Sequence, residues 1–277
     1  MIFDYQKWKA SLAQDQISYQ NAKPYPHIIC DDFLEETAAE NALAVFPKIQ
    51  DEGWIHYVHV NEKKHGLNKL ALIPEFICDG IIKELNSPQF IQYLENLTGI
   101  TNLLPDSRIE GGGIHQSEHG GYLNIHADFT VHPHKKTWRR RVNVLLYLNK
   151  DWKGSYGGSL ELWEKDMSKC AVKIEPIFNR IVIFNTEEDS YHGFPDPIQC
   201  PDNITRKSIA LYYFTEEKVG SFKRRSTNYQ ARPNDGIKAI FIWFDKKMIA
   251  IYTSLKGALG INDDFISKVL NLFRKKK

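Results

Sequence analysis

The stretch YLNIHADF, residues 122–129, alternates apolar and polar side chains and contains a histidine and a carboxylate two positions apart. Such alternation is typical of a β-strand, in which every second side chain points to the same face. We therefore predict that His126 and Asp128 share one face and converge on one point. The other face, which would pack inward between two sheets, is predicted to carry Leu123, Ile125, Ala127 and Phe129.

A neutral imidazole and a carboxylate side by side can supply two ligands of a divalent metal ion. The third ligand should come from a later strand, and His192 in NTEEDSYHGFP is the best candidate because it follows the β-type run NRIVIF. Two histidines and one carboxylate on one face of an octahedral ion are typical of non-haem Fe(II) oxygenases. The alternative is that His126 and Asp128 are only a hydrogen-bonded surface pair, and the later histidine favours the metal site.

Other histidines compete for the role of metal ligand, but their surroundings are less suitable. One group lies in a polar segment before the β runs, another among glycines, and a third in a loop that contains a proline and two lysines. We predict that they are structural or exposed, although His115 or His119 could line a cavity. They are His56, His59, His65, His115, His119, His132 and His134.

Arg206 stands at the head of the β-type run TRKSIALYYF and shares a face with Ser208. A guanidinium that points into a barrel needs an anionic partner, because burying it alone is costly. A dicarboxylate cosubstrate would provide that partner through a bidentate contact. A structural ion pair between Arg206 and a glutamate is the alternative.

The order His126-x-Asp128, then His192, then Arg206 resembles the iron- and 2-oxoglutarate-dependent dioxygenases of the prolyl 4-hydroxylase type. RRVNVLLYLNKDW followed by GGSLELW is similar to that family's strand and glycine turn, and PYPHIICDDFL resembles the N-terminal opening of its bacterial members. The resemblance covers about residues 24–217. The spacing between His192 and Arg206 is somewhat longer than is usual in prolyl hydroxylases, which leaves the substrate open.

The resemblance implies an α+β fold with a mainly β core, a double-stranded β-helix (jelly roll, cupin-like) with N-terminal helices packed on it. It also implies Fe(II) bound by His126, Asp128 and His192. Arg206 would bind the distal carboxylate of 2-oxoglutarate, and Ser208 and Tyr147 would assist. These three cosubstrate residues and the three metal ligands form the expected site.

The implied reaction is hydroxylation of an unactivated C–H bond with O2 and 2-oxoglutarate, releasing succinate and CO2. Asp128 favours a hydroxylase, because a related halogenase would have a small residue at that position. Ascorbate could serve as a reductant. The substrate would be an unidentified peptide, with prolyl hydroxylation as the family default, or a small molecule or glycan precursor. A non-catalytic metal-binding cupin-like protein is the alternative.

Helical patterns precede the β runs. Residues 24–47 are predicted to form a short strand, a turn and a helix that ends at Pro47, and residues 70–99 to be largely helical, with Ser87 and Pro88 starting the last helix. The β core is expected at about residues 107–217. We predict a dioxygenase domain over residues 1–218 and a basic helical C-terminal extension over residues 219–277.

Charge and composition limit the remaining classes. The net charge is +2, so no general affinity for nucleic acid is expected, but residues 221–277 carry 13 Lys and Arg against 4 Asp and Glu. The run WRRR at residues 138–141 could receive an anionic substrate or form a solvated face, and the solvated face is the more common outcome. The final stretch DDFISKVLNLFRKKK could contact a membrane surface or a partner, but packing on the domain is favoured.

The chain is predicted to be cytoplasmic. Four separated cysteines without a CxxC pair fit a reducing compartment. The N-terminal residues MIFDYQKWKASLAQD are too polar for a signal peptide. The most apolar run, IFIWFDKKMIAIY, is interrupted by three charged residues and is not expected to span a bilayer.

Overall fold

The computed structural model describes residues 2–259 of the chain. Its helices are α1 (Tyr5–Asn21), α2 (Glu36–Ala44), α3 (Lys83–Leu85), α4 (Pro88–Thr98) and α5 (Lys238–Leu259). Short 3-10 turns span Leu70–Leu72 and Gly154–Tyr156, and a π-helical segment, Phe76–Ile82, runs directly into α3.

The strands of the described chain form one antiparallel sheet. They are β1 (His27–Cys30), β2 (Ile55–His59), β3 (Glu62–Leu67), β4 (Leu104–Pro105), β5 (Gly113–Ser117), β6 (Tyr122–Ala127), β7 (Trp138–Tyr147), β8 (Leu160–Trp163), β9 (Cys170–Ile174), β10 (Arg180–Asn185), β11 (His192–Phe194), β12 (Arg206–Glu216) and β13 (Asn228–Tyr229).

The order of the paired strands is β1-β10-β7-β12-β5-β3-β6-β11-β8-β9, while β2 pairs with β3, β4 with β12 and β13 with β6. The sheet curls over itself, because side chains of β6, β8 and β11 line the same cavity as side chains of β5, β7 and β12. This half-barrel is the mainly β, jelly-roll core that the sequence predicted, and the prediction of the fold class is confirmed.

The N-terminal helices cover one face of the sheet with a continuous apolar core. Phe3, Trp8 and Phe90 pack in the same cluster as Val144 of β7 and Ile209 of β12, and all five are buried. Burial on this scale ties the helices to the sheet, since buried apolar area is the main source of folding free energy. The opposite face of the sheet is left to form the cavity.

Local signals placed both ends of α4 correctly, whereas α2 ends at Ala44, three residues before the predicted end at Pro47. Ser87 caps α4 by accepting a hydrogen bond from the backbone N–H of Phe90 at 3.2 Å, and Pro88 is its first residue. The helix ends at Gly99, whose φ of +74° suits a glycine. Two elements were missed: α1, capped by Asp4, and the β2–β3 hairpin over residues 55–67.

The predicted alternation along residues 122–129 is wrong in part. The β6–β11 register shifts. His126 pairs with His192, but Leu123, three residues before His126, pairs with Phe194, which is only two residues after His192. The extra residue in β6 is a β-bulge, which turns Leu123 toward the cavity that also holds His126. Phe129, which was assigned to the inward-packing face, lines the same cavity.

None of the helices within residues 2–259 combines the length and the apolarity that a bilayer span requires. The predicted final helix in DDFISKVLNLFRKKK lies outside the described residues.

Candidate active site

Pairing of β6 with β11 brings the three predicted metal ligands together. His126 and His192 are direct cross-strand partners, and Asp128 follows at the end of β6. One ligand atom from each residue lies within 4.8 Å of the others. Asp128 carboxylate oxygens lie 3.5 Å from Nε2 of His126 and 3.4 Å from Nε2 of His192.

Both imidazoles are oriented by their own backbone. Nδ1 of His126 lies 2.9 Å from the carbonyl of Asn124, and Nδ1 of His192 lies 2.9 Å from the carbonyl of Ser190. A carbonyl only accepts, so each Nδ1–H donates and each Nε2 keeps its lone pair toward Asp128. This fixes the tautomer in which a histidine ligates a metal through Nε2.

Two side chains of β7 hold the carboxylate of Asp128 in position. Asn143 Nδ2 donates to Oδ2 at 2.7 Å, and Nη2 of Arg140 lies 3.0 Å from the same oxygen. Burial alone would raise the pKa of Asp128, but the charge of Arg140 and the two histidines hold it well below its ordinary value. Asp128 is therefore an anion with a fixed orientation, as a ligand to a hard cation requires.

The imidazole of His192 is buried, and burial lowers its pKa to about 4. Near neutral pH it is an uncharged ligand. The distances between the Asp128 oxygens and the two Nε2 atoms, 3.5 Å and 3.4 Å, are too long for strong hydrogen bonds. Ligands at about 2.1 Å from an octahedral ion lie roughly 3 Å apart in adjacent positions, so the donor set fits a single divalent ion.

Arg206 lies at the start of β12 and lines the cavity that also contains His126, Asp128 and His192. Its Nε donates to the carbonyl of Gly158 at 2.7 Å, and Nη2 donates to the Tyr147 hydroxyl at 3.3 Å. The guanidinium lies 4.2 Å from the ring centre of Phe194. Burial lowers the pKa of Arg206, and contact with Tyr147 partly offsets this. No acidic side chain among those that the structure describes forms an ion pair with Arg206, so the alternative of an Arg–Glu bridge is not realised.

Tyr147 and Ser208 stand next to Arg206 because of strand register. Ser208 of β12 pairs with Tyr147 of β7, and both side chains line the cavity with Arg206. Burial raises the pKa of Tyr147, while the charge of Arg206 opposes that rise. The phenol is therefore protonated near neutral pH and can donate a hydrogen bond to an anion.

A single cavity of about 210 Å³ contains both groups. The three predicted metal ligands (on β6, just after β6 and on β11) and the group of Arg206, Tyr147 and Ser208 (on β7 and β12) reach the cavity from the two halves of the folded sheet. His115 also lines it, and burial together with the charges of Lys64 and Arg206 lowers the pKa of His115 to about 3. His132, by contrast, is buried outside the cavity beside Asp106, with 3.3 Å between Nε2 and the carboxylate.

Several cavity residues were not predicted from the sequence. Arg140 was counted as part of an exposed basic run, yet it is 1% exposed and stacks 3.3 Å above the ring of Tyr212. The opposite wall comes from the missed β2–β3 hairpin, where Glu62 pairs with Lys64 at 2.9 Å. The β-branched and aromatic residues of IHYVH in β2 were a weak strand signal that could have pointed to this hairpin.

The segment that follows the β core also reaches the cavity. Tyr229 in β13 pairs with His126 in β6, and the two rings lie 5.4 Å apart. Tyr229 is 5% exposed and lines the cavity together with Thr227. The chain beyond residue 218 thus supplies part of the wall beside a predicted metal ligand.

A curled antiparallel half-barrel whose cavity is lined by two histidines, an aspartate and a buried arginine with no acidic partner among the described residues is the arrangement typical of Fe(II)- and 2-oxoglutarate-dependent oxygenases. Residues 112–214 match the model of the 2OG-Fe(II) oxygenase superfamily. The match spans the three predicted metal ligands and Arg206. The resemblance predicted from the sequence is therefore confirmed, and Fe(II), 2-oxoglutarate and O2 are the metal and cosubstrates of this family.

Prolyl hydroxylase EGLN3 of Mus musculus and of Homo sapiens are each 30% identical to this chain over 90 residues, covering 32% of the chain and 35% of the relative. The chain thus spans about a third of the length of the curated relatives that it matches.

Two solved structures share the fold. One is a prolyl hydroxylase from Trichoplax adhaerens in complex with a peptide fragment of the hypoxia inducible factor oxygen degradation domain. Its TM-score is 0.55 at 19% identity, over 76% of this chain and 93% of that chain. The other is a Pseudomonas putida prolyl-4-hydroxylase, with a TM-score of 0.50 at 15% identity over 73% and 100% of the two chains.

Proposed function

We propose that this chain is a dioxygenase that hydroxylates an unactivated C–H bond of a peptide or small molecule while 2-oxoglutarate is converted to succinate and CO2. The observation that carries the proposal is the cavity that contains both the metal-ligand triad and the unpaired Arg206. A generic metal-binding cupin needs only the triad. A buried cation that has no acidic partner among the described residues favours an anion that binds from outside the chain.

In this proposal His126, Asp128 and His192 hold Fe(II). When bound, the iron and 2-oxoglutarate supply the oxidising power that inserts one atom of O2 into a C–H bond. The protein's contribution is orientation: two backbone carbonyls fix the imidazoles, and Asn143 and Arg140 fix the carboxylate. Ligands held in this way need little rearrangement when the metal binds.

Arg206 would bind the distal carboxylate of 2-oxoglutarate, because Gly158 and Tyr147 hold its planar fork in place before the anion arrives. Tyr147 and Ser208 would donate hydroxyl hydrogen bonds to the same group. The rings of Phe194 and Tyr147 flank the guanidinium and keep water from it, which strengthens its attraction for the anion.

A peptidyl proline is the first substrate class that we propose. It rests on the names of the relatives and solved structures described above, which are prolyl hydroxylases, one of them solved with a peptide. A small molecule or glycan precursor remains the second class, since the cavity wall beside Asp128 is rich in charged and phenolic side chains. Its members are Glu62, Lys64, Arg140, Tyr212 and Tyr229.

We further propose a reducing, cytoplasmic location, because the four cysteines are all free. Ascorbate stays a proposed reductant.

The test combines binding and turnover. The full chain with Fe(II) under anaerobic conditions should develop a metal-to-ligand charge-transfer band on addition of 2-oxoglutarate. Proline-containing peptides and small-molecule pools are then screened for succinate formation coupled to a mass gain of one oxygen atom. A chain that binds Fe(II) but develops no band and releases no succinate would be a cupin without oxygenase activity.

A further inference from the structure

The inward side of α5 is fixed against the domain by three contacts. Ile242 is 1% exposed. Lys238 Nζ donates to Asn124 Oδ1 at 3.1 Å, and the Asp245 carboxylate lies 3.0 Å from Nδ1 of His59. These residues follow at spacings of four and three, so they mark one stripe along the helix. The orientation of the first three turns of α5 is therefore defined.

The outward side of the same turns is apolar. The exposed fractions are 74% for Ile237, 66% for Ile240, 57% for Phe241, 58% for Trp243, 59% for Phe244 and 50% for Met248. Among the described residues, every exposed phenylalanine or tryptophan belongs to this group. A contiguous apolar face of this kind usually marks an interaction site, because scattered single exposed residues are the norm elsewhere.

Basic side chains surround this apolar face. Lys247 is exposed beside Trp243, with its ammonium 5.6 Å from the ring centre. Burial, and then the charges of Lys247 and Arg225, lower the pKa of Lys246, so the charge of Arg225 also acts on this part of α5. Arg225 is paired with Glu188, whereas Lys223 and Arg224 are exposed. Residues 221–277 carry a net charge of +9 and residues 1–220 a net charge of −7.

We propose that the outward face of α5 docks on an anionic lipid bilayer, with the helix lying in the interface and its apolar side chains inserted. Tryptophan and phenylalanine at the headgroup level, with lysines that reach back to anionic lipids, are typical of such interfacial helices. The segregation of positive charge to this end of the chain complements the negative surface of the membrane. The acidic remainder of the domain would face away from it.

A second copy of the chain is the less suitable occupant. Lys247 is exposed on this face, and in a two-fold dimer it would approach the same charge on the second copy.

The docked helix would lie next to the active-site cavity. Asp245 contacts His59 Nδ1, and His59 Nε2 lies 2.9 Å from Glu62 Oε1, which itself lines the cavity. Two side-chain contacts thus connect α5 with the Glu62 wall of the cavity. Membrane docking would place this side of the cavity close to the lipid surface.

The test is co-sedimentation of the full chain with vesicles of phosphatidylcholine alone or mixed with phosphatidylserine. Wild type should bind the mixed vesicles, more weakly at high salt. Trp243→Ser/Phe244→Ser should bind at least about tenfold more weakly, because two aromatic rings no longer enter the interface. Val58→Ser on β2, where the side chain is 65% exposed, is the matched control and should bind like wild type.

Lys247→Glu is a second variant on the same face, and it changes only the charge. It should weaken binding to the vesicles that contain phosphatidylserine and have no effect with vesicles of phosphatidylcholine alone. Equal sedimentation of wild type and the double variant would overturn the proposal, as would binding that does not depend on phosphatidylserine. A third contradicting outcome has two parts. Wild type would not bind vesicles, and sedimentation velocity would show a wild-type dimer that Trp243→Ser/Phe244→Ser dissociates. Unchanged 2-oxoglutarate binding in each variant separates this test from that of the proposed function.

Discussion

Arg140 lies 3.0 Å from Oδ2 of Asp128 and on the same side of β7 as Asn143, three residues further on. Residues three apart in a regular strand face opposite ways. Here the β7–β12 register shifts, because Val142 pairs with Tyr213 while Arg140 pairs with Phe214. The bulge at Arg141 turns Arg140 inward, where its guanidinium and the Asn143 amide hold one carboxylate oxygen.

This contact predicts that Arg140 controls metal affinity without touching the metal. Arg140→Met should weaken Fe(II) binding by about 10–100-fold, because Asp128 loses the charge that holds it ionised and oriented. Competition with a coloured chelator measures the affinity. Arg139→Met is the matched control: Arg139 is partly exposed and pairs with Glu187, and its loss should leave Fe(II) binding unchanged. Equal effects of the two substitutions would contradict the assignment.

Removing a proposed ligand should abolish metal binding and leave the fold intact. In His126→Ala the chain loses one of three donors, and the remaining pair cannot complete the facial set. We expect no metal-dependent turnover, with a far-UV circular dichroism spectrum like that of wild type. His132→Ala, a buried histidine outside the cavity, should retain Fe(II) binding. Full iron binding and activity in His126→Ala would show that the metal lies elsewhere.

Arg206 should determine the affinity for 2-oxoglutarate. Arg206→Ala should weaken binding by roughly 2–5 kcal/mol, because a desolvated carboxylate loses its charged partner. Arg206→Lys keeps the charge but loses the planar fork, so we expect a smaller loss. Titration of the anaerobic Fe(II) protein, followed by the charge-transfer band, measures both. Iron affinity should hardly change in either variant. A wild-type affinity for 2-oxoglutarate in Arg206→Ala would revive the cupin alternative.

His115 should contribute to acid sensitivity. Its pKa is lowered to about 3 in the folded state, against about 6.5 in an unfolded chain. Between these two pH values the unfolded chain binds more protons than the folded chain. The contribution of His115 to the free energy of unfolding is therefore fully present above about pH 6.5 and is lost as the pH falls toward 3. His115→Gln should flatten this loss by up to a few kcal/mol in urea unfolding. A slope in His115→Gln equal to that of wild type would contradict this assignment.

The helices and the β core should unfold as one unit. Phe3, Trp8 and Phe90 share their apolar core with β7 and β12, so residues 107–218 alone would expose a large apolar face. We expect this fragment to be insoluble or to lack fixed tertiary packing by near-UV circular dichroism. The full chain should show coincident transitions in near- and far-UV signals. A stable fragment that binds Fe(II) would make the helices a separate domain.

Much of the site could be predicted from the sequence because its residues act through local geometry. His126 and Asp128 are two positions apart in a strand pattern, which predicts that they lie on the same side. His192 follows an apolar strand pattern, which predicts that it lies at the end of a strand of the same sheet. Arg206 and Ser208 follow the same rule. Capping residues likewise predicted the start of α4, since a cap depends only on neighbours within one turn.

The other parts of the site depend on contacts between segments that are far apart in the sequence. The bulges in β6 and β7 arise from pairing with β11 and β12, and they turn Leu123 and Arg140 toward the cavity against the simple alternation. Glu62 and Tyr229 reach the cavity from a hairpin before the β core and a strand after it. A strand's own sequence determines which side chains alternate, but the partner strand sets the register, and the register determines which side chains meet.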